Sequence, residues 1–197
     1  MSAQQTADAL IEMLNTKGQS DYIGEPVTQL AHSLQAAQLA KTHDADDETV
    51  LAALLHDIGQ FLGADEVKSI AHEVQTMGGE GRASCGRVGH EKIGEEYLQR
   101  LGFSHKVGAL VGSHVAAKRY LCAVDSGYHD TLSVASKRSL VFQGGPMQGE
   151  ELQQWAANPW CEEMCGLRKW DDGAKQPGLE VPKVESYKGM MVQHLSR

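Results

Sequence analysis

The sequence predicts an all-α protein, a compact bundle of helices. Apolar residues recur at helical spacing along almost the whole chain, and no segment shows the alternation typical of a half-buried strand. Glycine, proline and capping residues divide this pattern into lengths typical of single helices. The chain of 197 residues is long enough for one domain with one sizeable core.

The predicted helices follow one another with short connections. The first covers 3–15, and the Lys17–Gly18 pair ends it. The second starts at Pro26, which suits a first helical turn, and continues to about Thr42. The third covers 48–58, with Gly59 placed to end it. Further helices are predicted at 90–101, 104–122, 132–142, 149–155, 162–170 and 186–195.

One domain is expected to span 1–197, with two distinct parts. Residues 1–21 form an N-terminal helix and a linker. Residues 63–89 form a Gly-rich insertion, in which 65–75 can make two helical turns. The remainder, 77–89, contains five glycines and is therefore predicted to be a loop.

Composition excludes several classes of function. Acidic residues outnumber basic ones by 26 to 18, and no Lys/Arg cluster is present, which argues against nucleic-acid binding. The longest apolar runs, such as 50–55, are too short to span a membrane, and the N-terminus lacks the basic flank of a secretory signal. Four cysteines do not suggest a disulfide framework. A cytoplasmic protein that contacts neither nucleic acid nor membrane is expected.

The first chemical signal is the His56–Asp57 pair, which follows an apolar run in LAALLHDIGQ. Burial of an ionisable pair is costly unless something compensates for it. A metal ion would do so, because it neutralises a carboxylate and accepts an imidazole lone pair. A hydrogen-bonded core histidine beside a capping Asp is the alternative, and for an isolated pair it is the commoner one.

The pair is not isolated, because His32, His90, His114 and Asp171 lie on other predicted helices beside apolar stripes. Four histidines and two aspartates can gather in a bundle core, where helical proteins often build di-metal sites.

Two cations share helix faces with these candidate ligands. Lys118 follows His114 by four residues, and Arg168 precedes Asp171 by three. A cation beside a metal ligand is unfavourable unless an anion lies between them. An anionic substrate is therefore expected at the metals.

The order H…HD…H…H…D, with HDIG at its second position, resembles the HD-domain superfamily of metal-dependent helical proteins. A narrower resemblance is to the mixed-valent di-iron oxygenases that cleave carbon–phosphorus bonds in 1-hydroxy-2-aminoethylphosphonates. It rests on the ordered blocks YIGE, QLAHSLQ, AALLHDIG, HEKIG, HVAAKRYL, LSVASKRSL, FQGGPM and RKWD. These blocks extend from about residue 22 to the C-terminus and are far more specific than the HD signature.

This resemblance implies a single, compact HD-domain helical bundle with a di-metal site in its core. The cofactor would be two Fe ions, a mixed-valent Fe(II)/Fe(III) pair. The implied ligands of the first iron are His32, His56, Asp57 and Asp171; those of the second are His90 and His114, with Asp57 bridging. Imidazole and carboxylate without thiolate suit iron or manganese better than a structural zinc ion.

The same resemblance implies residues that contact the substrate. Lys118, Ser136 and Arg168 would bind the phosphonate. Tyr22 and Glu25 would form a mobile gate, with Tyr22 covering the open iron position until the substrate displaces it. Tyr22, Glu25 and Lys118 are thus the expected catalytic residues. The alternative for 22–25 is an ordinary linker between helices.

Two departures from the aminoethyl branch concern the substrate. Gln60 stands where that branch would have a second-sphere histidine, and the insertion before His90 is longer. Both favour the branch that converts (R)-1-hydroxy-2-(trimethylammonio)ethylphosphonate and O₂ to glycine betaine and phosphate. Gln60 then belongs to the substrate-binding residues, and Tyr22 and Glu25 would hold the quaternary ammonium. The primary amine, which would give glycine, is the alternative.

Two other functions compete with the oxygenase. In an HD-type phosphohydrolase, metals would activate a water molecule. A catalytically silent HD module would bind a phosphorylated ligand, but it predicts damaged metal ligands and all six are present. The blocks YIGE, HVAAKRY and QGGPM favour the oxygenase. Its expected partners are a small hydroxyphosphonate and O₂. An upstream hydroxylase of the same pathway is expected to supply the substrate as its product, with no other relation to this chain.

Overall fold

A computed structural model describes residues 1–22, 24–70 and 87–197, and within these ranges the chain is helical with no named strand. The predicted all-α class is confirmed. The helices are α1 (Ala3–Lys17), α2 (Gln29–Thr42), α3 (Asp47–Leu55), α4 (Ile58–Phe61), α5 (Ala64–Ile70), α6 (His90–Arg100), α7 (His105–Val124), α8 (Tyr128–Thr131), α9 (Val134–Phe142), α10 (Gly149–Ala156), α11 (Cys161–Gly173), a 3-10 helix (Val184–Tyr187) and α12 (Lys188–Leu195).

The longest helix, α7, lies at the centre of the bundle and packs against α3, α6 and α11. Helix α2 packs against α3 and α11. The N-terminal helix α1 packs against α12, so we propose that it belongs to the same domain as the rest of the chain. Within the described ranges, no helix is both long and apolar enough to span a membrane. The largest fully buried apolar side chains include Leu10, Leu14, Leu51, Leu54, Leu55, Leu110, Leu167, Tyr187 and Met191.

The second helix starts later than the prediction at Pro26. Its N-cap is Thr28, whose hydroxyl accepts a hydrogen bond from the backbone N–H of Ala31 at 3.1 Å. Before it, the Tyr22 N–H donates to the Val27 carbonyl at 2.8 Å, so the predicted linker is a closed turn. Pro26 therefore lies in this turn and not in the helix. The Thr28 hydroxyl, which satisfies the free N–H of Ala31, determines the start of the helix more strongly than the fixed backbone angle of the proline.

The third helix ends at Leu55, earlier than the prediction at Gly59. Gly59 instead lies within α4, where an added Cβ would stand 2.0 Å from the His90 carbonyl oxygen. A glycine just after an apolar run resembles a helix end in sequence, but here it permits the close approach of α4 to α6. That approach brings Asp57 beside His90.

Two smaller differences concern the second half of the chain and the insertion. Helix α8 was not predicted, and α9 starts at Val134 because Ser133 caps it. In the insertion, α5 ends at Ile70. The rest of the predicted helical turns to 75, and the predicted loop at 77–86, lie outside the described residues.

Replacing Gly59 with alanine should destabilise the fold by about 1 to 3 kcal/mol or more, because the new methyl group meets backbone that cannot move independently. Gly189→Ala is the matched control. Nothing lies within 4 Å of a Cβ at this helical glycine, so we expect a gain of about 0.4 to 1 kcal/mol. Thermal and urea unfolding of both variants measure the difference, and equal stabilities would contradict the close-packing argument.

Candidate metal centre

The structure brings all six predicted metal ligands together in the bundle interior. Four of them lie on helices α2, α6, α7 and α11, and the other two, His56 and Asp57, directly follow α3. Every one of these side chains is buried, although all are ionisable. The six residues are His32, His56, Asp57, His90, His114 and Asp171.

All four imidazole rings are oriented by the same kind of hydrogen bond. Each Nδ1 lies 2.8–2.9 Å from a backbone carbonyl oxygen. The pairs are His32 with Ala174, His56 with Ala53, His90 with Arg87 and His114 with Val111. A carbonyl oxygen only accepts, so the hydrogen-bond partners assign the ring proton to Nδ1 and leave the lone pair of a neutral ring on Nε2.

The Nε2 atoms then face one another in two pairs. His32 Nε2 lies 3.0 Å from His56 Nε2, and His90 Nε2 lies 3.0 Å from His114 Nε2. Two lone pairs at this distance repel unless a proton or a metal ion lies between them. Two nitrogens that each lie about 2.1 Å from one ion, at an angle of about 90°, would have this separation. The spacing therefore fits a metal ion at each pair.

Asp57 lies between the two histidine pairs and turns one oxygen to each. Its Oδ1 is 3.2 Å from His90 Nε2 and 3.8 Å from His114 Nε2. Its Oδ2 is 3.4 Å from His56 Nε2 and 3.8 Å from His32 Nε2. This one carboxylate can therefore take part in both groups.

Asp171 completes only one of the groups. Its Oδ1 lies 3.3 Å from His32 Nε2, while its Oδ2 accepts a hydrogen bond from Arg168 at 2.7 Å. Each of the two groups able to hold a metal ion contains Asp57 and two histidines, and Asp171 is a further candidate ligand only for the group with His32 and His56. The donors of both groups are imidazole and carboxylate, which suit iron or manganese.

The charges in this cluster are strongly coupled. Burial by itself lowers the pKa of His56, but the nearby carboxylates of Asp57 and Asp171 outweigh burial and raise it to about 9. Burial and the neighbouring rings of His90 and His56 lower the pKa of His114 to about 3. Burial would raise the pKa of Asp57, yet His56 and His90 hold it well below its usual range. A bound cation would take the place of the proton held at His56.

A cavity of about 250 Å³ opens onto the candidate metal ligands Asp57, His90, His114 and Asp171. His32 and His56 do not line it, so the cavity meets mainly the group with fewer protein ligands. All six residues that the sequence predicted for substrate contact line this cavity. They are Tyr22, Glu25, Gln60, Lys118, Ser136 and Arg168.

Lys118 is a buried ammonium group at the cavity wall. Its Nζ donates to Ser139 Oγ at 2.7 Å, and no carboxylate in the described part of the chain lies within 4.0 Å of it. Burial and the nearby Arg168 guanidinium lower the pKa of Lys118 to about 7. An anion in the cavity would therefore meet a cation that lacks a carboxylate partner.

Arg168 is paired more extensively than the sequence suggested. Its Nη1 donates to Asp171 at 2.7 Å, and its Nη2 pairs with Asp172. Tyr128, in the unpredicted α8, also hydrogen-bonds to Asp172. The two carboxylates keep the pKa of Arg168 well above its usual value despite burial. Arg168 therefore orients a metal ligand as well as lining the cavity.

The turn before α2 places Tyr22 against the first metal group. Its ring stacks on His32 with centroids 3.9 Å apart and an interplanar angle of 16°, and its hydroxyl lies 3.5 Å from Asp171 Oδ1. Burial and the carboxylates of Asp171 and Asp57 raise the pKa of Tyr22 well above its usual value. The hydroxyl is therefore a neutral donor at the edge of the ligand cluster.

Gln60 and Glu25 have partners that were not predicted. Gln60 Oε1 accepts a hydrogen bond from the Arg87 backbone N–H at 3.0 Å. Glu25 Oε1 lies 3.1 Å from the ammonium of Lys175, which also lines the cavity. Lys175 was missed because it lies in a predicted connector, where no periodic pattern marks a lysine as buried. The one sequence feature that could have indicated Lys175 is its position four residues after the candidate ligand Asp171.

Residues 30–139 match the family model of the HD domain, which is more than half of the chain. This chain belongs to the HD-domain family. The matched residues include five of the six candidate ligands, and only Asp171, on α11, lies beyond them.

Three relatives match most of this HD-domain chain. It is 42% identical over 182 residues to a hydroxymethylphosphonate dioxygenase of Gimesia maris, covering 91% of this chain and 83% of the relative. It is 36% identical over 170 residues to a [1-hydroxy-2-(trimethylamino)ethyl]phosphonate dioxygenase (glycine-betaine-forming) of Leisingera caerulea, covering 86% and 80%. An uncharacterized protein of Acanthamoeba polyphaga mimivirus is 34% identical over 192 residues, covering 98% and 83%. The resemblance to HD-domain phosphonate oxygenases is thus confirmed.

Asp57→Ala should abolish binding of both metal ions, because its two oxygens face both histidine pairs. His114→Ala should mainly empty the group that also contains His90. Metal content per chain after Fe(II) loading, measured by mass spectrometry, tests both expectations. Exposed Asp65 provides the matched control, since Asp65→Ala removes a carboxylate far from the cluster. Two ions retained in the Asp57 variant would contradict the bridging position.

Proposed function

We propose that this chain is a di-iron dioxygenase that uses O₂ to cleave the carbon–phosphorus bond of a 1-hydroxyphosphonate. The observation that carries this proposal is the cavity that joins an incomplete metal group to the buried ammonium of Lys118. The names of two relatives, both phosphonate dioxygenases, support the class of reaction. The products would be inorganic phosphate and a carboxylic acid.

The proposed metal ions are iron, as a mixed-valent Fe(II)/Fe(III) pair. His32, His56, Asp57 and Asp171 would hold one ion, and Asp57, His90 and His114 the other. The nitrogen and oxygen donor set fits iron, and the resemblance to mixed-valent oxygenases supports the oxidation states. When bound, the iron pair would supply the site for O₂ and the redox chemistry of the reaction.

The phosphonate would lie at the wall formed by Lys118, Ser136 and Arg168. Charge-assisted hydrogen bonds from the two cations would hold its oxygens. Ser136 Oγ lies 3.5 Å from Arg168 Nη2, so its hydroxyl is within reach of the same anion. Because Arg168 also holds Asp171, the anion and a metal ligand are positioned by one side chain. The C1 hydroxyl would then face His90 and His114, a gain in proximity and orientation.

Tyr22 and Glu25 would control access to the metals. The Tyr22 ring covers His32, and its neutral hydroxyl stays beside Asp171 because the pKa of the phenol is raised. We propose that Tyr22 and the turn residues 24–27 exclude water from the metals until the substrate enters and displaces them. Gln60, which also lines the cavity, would contact the substrate with its side-chain amide.

The reaction balances without an external reductant. A C–H bond and the C–P bond of the substrate break, C1 becomes a carboxylate, and phosphorus leaves as phosphate with one oxygen added. The substrate thus supplies all four electrons that one O₂ accepts. An upstream hydroxylase would form the C1 hydroxyl, and its product would be the substrate of this chain.

Two substrates are candidates within this class. The trimethylammonio substrate predicted from the sequence is supported by the Leisingera caerulea relative. Hydroxymethylphosphonate, which would give formate, is supported by the Gimesia maris relative.

Iron-loaded enzyme should consume one O₂ for each phosphate released from its 1-hydroxyphosphonate substrate. Oxygen-electrode and phosphate assays with both candidate substrates, offered separately, measure this ratio. Iron-loaded Asp57→Ala serves as the control for reactions of free iron. Phosphate released from either phosphonate at an undiminished rate under strict anaerobiosis would contradict the dioxygenase, because the C–P bond would then be cleaved without O₂.

The charge of Lys118 should govern phosphonate capture. Because its pKa in the free enzyme is about 7, the ammonium is present below this pH and lost above it. Arginine stays charged throughout, so Lys118→Arg is the reference variant. The ratio of wild-type to Lys118→Arg kcat/KM should fall roughly 25-fold between pH 6.5 and 8.5, and ionisation of the substrate cancels in this ratio. A ratio independent of pH would show that Lys118 does not act through its charge.

A further inference from the structure

The chain places a cation of its own between Tyr22 and Glu25. Lys175 Nζ lies 3.1 Å from Glu25 Oε1 and 5.8 Å from the centre of the Tyr22 ring. A carboxylate combined with an aromatic face is the environment that proteins use to bind ammonium groups. In this cavity, that environment is already occupied by a side chain.

The backbone that carries Lys175 is held firmly to α2. The Ala174 carbonyl accepts the hydrogen bond from His32 Nδ1 at 2.9 Å. The Gln35 side chain forms two hydrogen bonds with the backbone of Gln176, at 2.8 and 3.0 Å. Lys175 thus lies between two anchored residues, one of which orients a candidate metal ligand.

The ammonium of Lys175 is also largely enclosed. Its side chain is 12% exposed and that of Glu25 is 10% exposed, so water screens the pair little. Its Nζ lies 3.4 Å from Ser136 Oγ, which places it at the same wall as the proposed phosphonate site. A second cation at this position would meet a like charge and would lack the Glu25 carboxylate.

We infer that Lys175 determines substrate specificity by filling the ammonium position of the cavity with its own ammonium group. This inference rests on the proposed function, because it concerns which 1-hydroxyphosphonate enters the site. The chain then favours a 1-hydroxyphosphonate without a cationic substituent, such as hydroxymethylphosphonate. Substrates with an amino or trimethylammonio group at C2 are excluded by charge repulsion and by loss of their carboxylate partner.

The test compares wild type with Lys175→Met, which keeps an unbranched apolar stem and removes the charge. Hydroxymethylphosphonate and (R)-1-hydroxy-2-(trimethylammonio)ethylphosphonate are the two probes. Anaerobic titration calorimetry of the iron-loaded proteins gives the Kd of each probe without turnover. Phosphate release in air then gives kcat/KM for each probe. The matched control is Lys183→Met, which removes an exposed lysine from the same C-terminal segment.

Wild type should prefer hydroxymethylphosphonate by at least roughly tenfold, the scale expected of like charges at close range. Lys175→Met should shift this preference at least roughly tenfold toward the trimethylammonio substrate. Adding Glu25→Gln to Lys175→Met should remove the gain, because the vacated carboxylate is what binds the ammonium. Lys183→Met should keep the wild-type preference.

Several results would overturn the inference while leaving the proposed function intact. One is a higher kcat/KM of the wild-type enzyme for the trimethylammonio substrate than for hydroxymethylphosphonate. This measurement does not depend on the folding of any variant. Another is a Lys175→Met enzyme whose preference is unchanged. A third is equal loss of affinity for both substrates, which would make Lys175 an anion-binding residue. By contrast, O₂-dependent phosphate release from neither substrate would overturn the proposed function itself.

Discussion

Four imidazole Nε2 atoms that face one another in two close pairs, in a buried space, are the constraint on which this structure depends. Each Nδ1–H donates a hydrogen bond to a backbone carbonyl, so the Nε2 of a neutral ring offers a lone pair, and the Nε2 atoms of each pair lie 3.0 Å apart. Such an arrangement is unfavourable without a cation. The packing of the helices around α7, and the missing side chain at Gly59, both serve to hold these rings in place.

The surroundings of the ligands differ on the two sides of Asp57. On one side, Asp171 is fixed by Arg168, which in turn pairs with Asp172 and so with Tyr128 of α8. On the other side, His90 and His114 face the cavity and the ammonium of Lys118. The side with Asp171 thus has more candidate protein ligands, while the side with His90 and His114 leaves more room for a ligand from solution. A metal ion with an open position can bind a substrate, whereas one with every position filled by protein cannot.

The family match and several of the charged residues at the cavity lie in different parts of the chain. The HD-domain match ends at residue 139, and it contains the histidines and Asp57. Asp171, Arg168 and Lys175 lie beyond it, on α11 and the segment that follows. These later residues decide the charge of the cavity, since Lys175 neutralises Glu25 and Arg168 is shared between two carboxylates.

The sequence by itself determined the all-α class and indicated the six candidate metal ligands, together with Tyr22, Glu25, Gln60, Lys118, Ser136 and Arg168 at the cavity wall. Periodicity is local, and metal ligands differ in chemistry from the apolar residues around them, so both are visible without a fold. Only the tertiary structure decided that Gly59 permits helix contact rather than ending a helix, that Arg168 is already paired, and that Lys175 lies on Glu25. These contacts join residues of different helices and turns. A local sequence pattern does not determine which charged side chains lie next to each other once the helices pack.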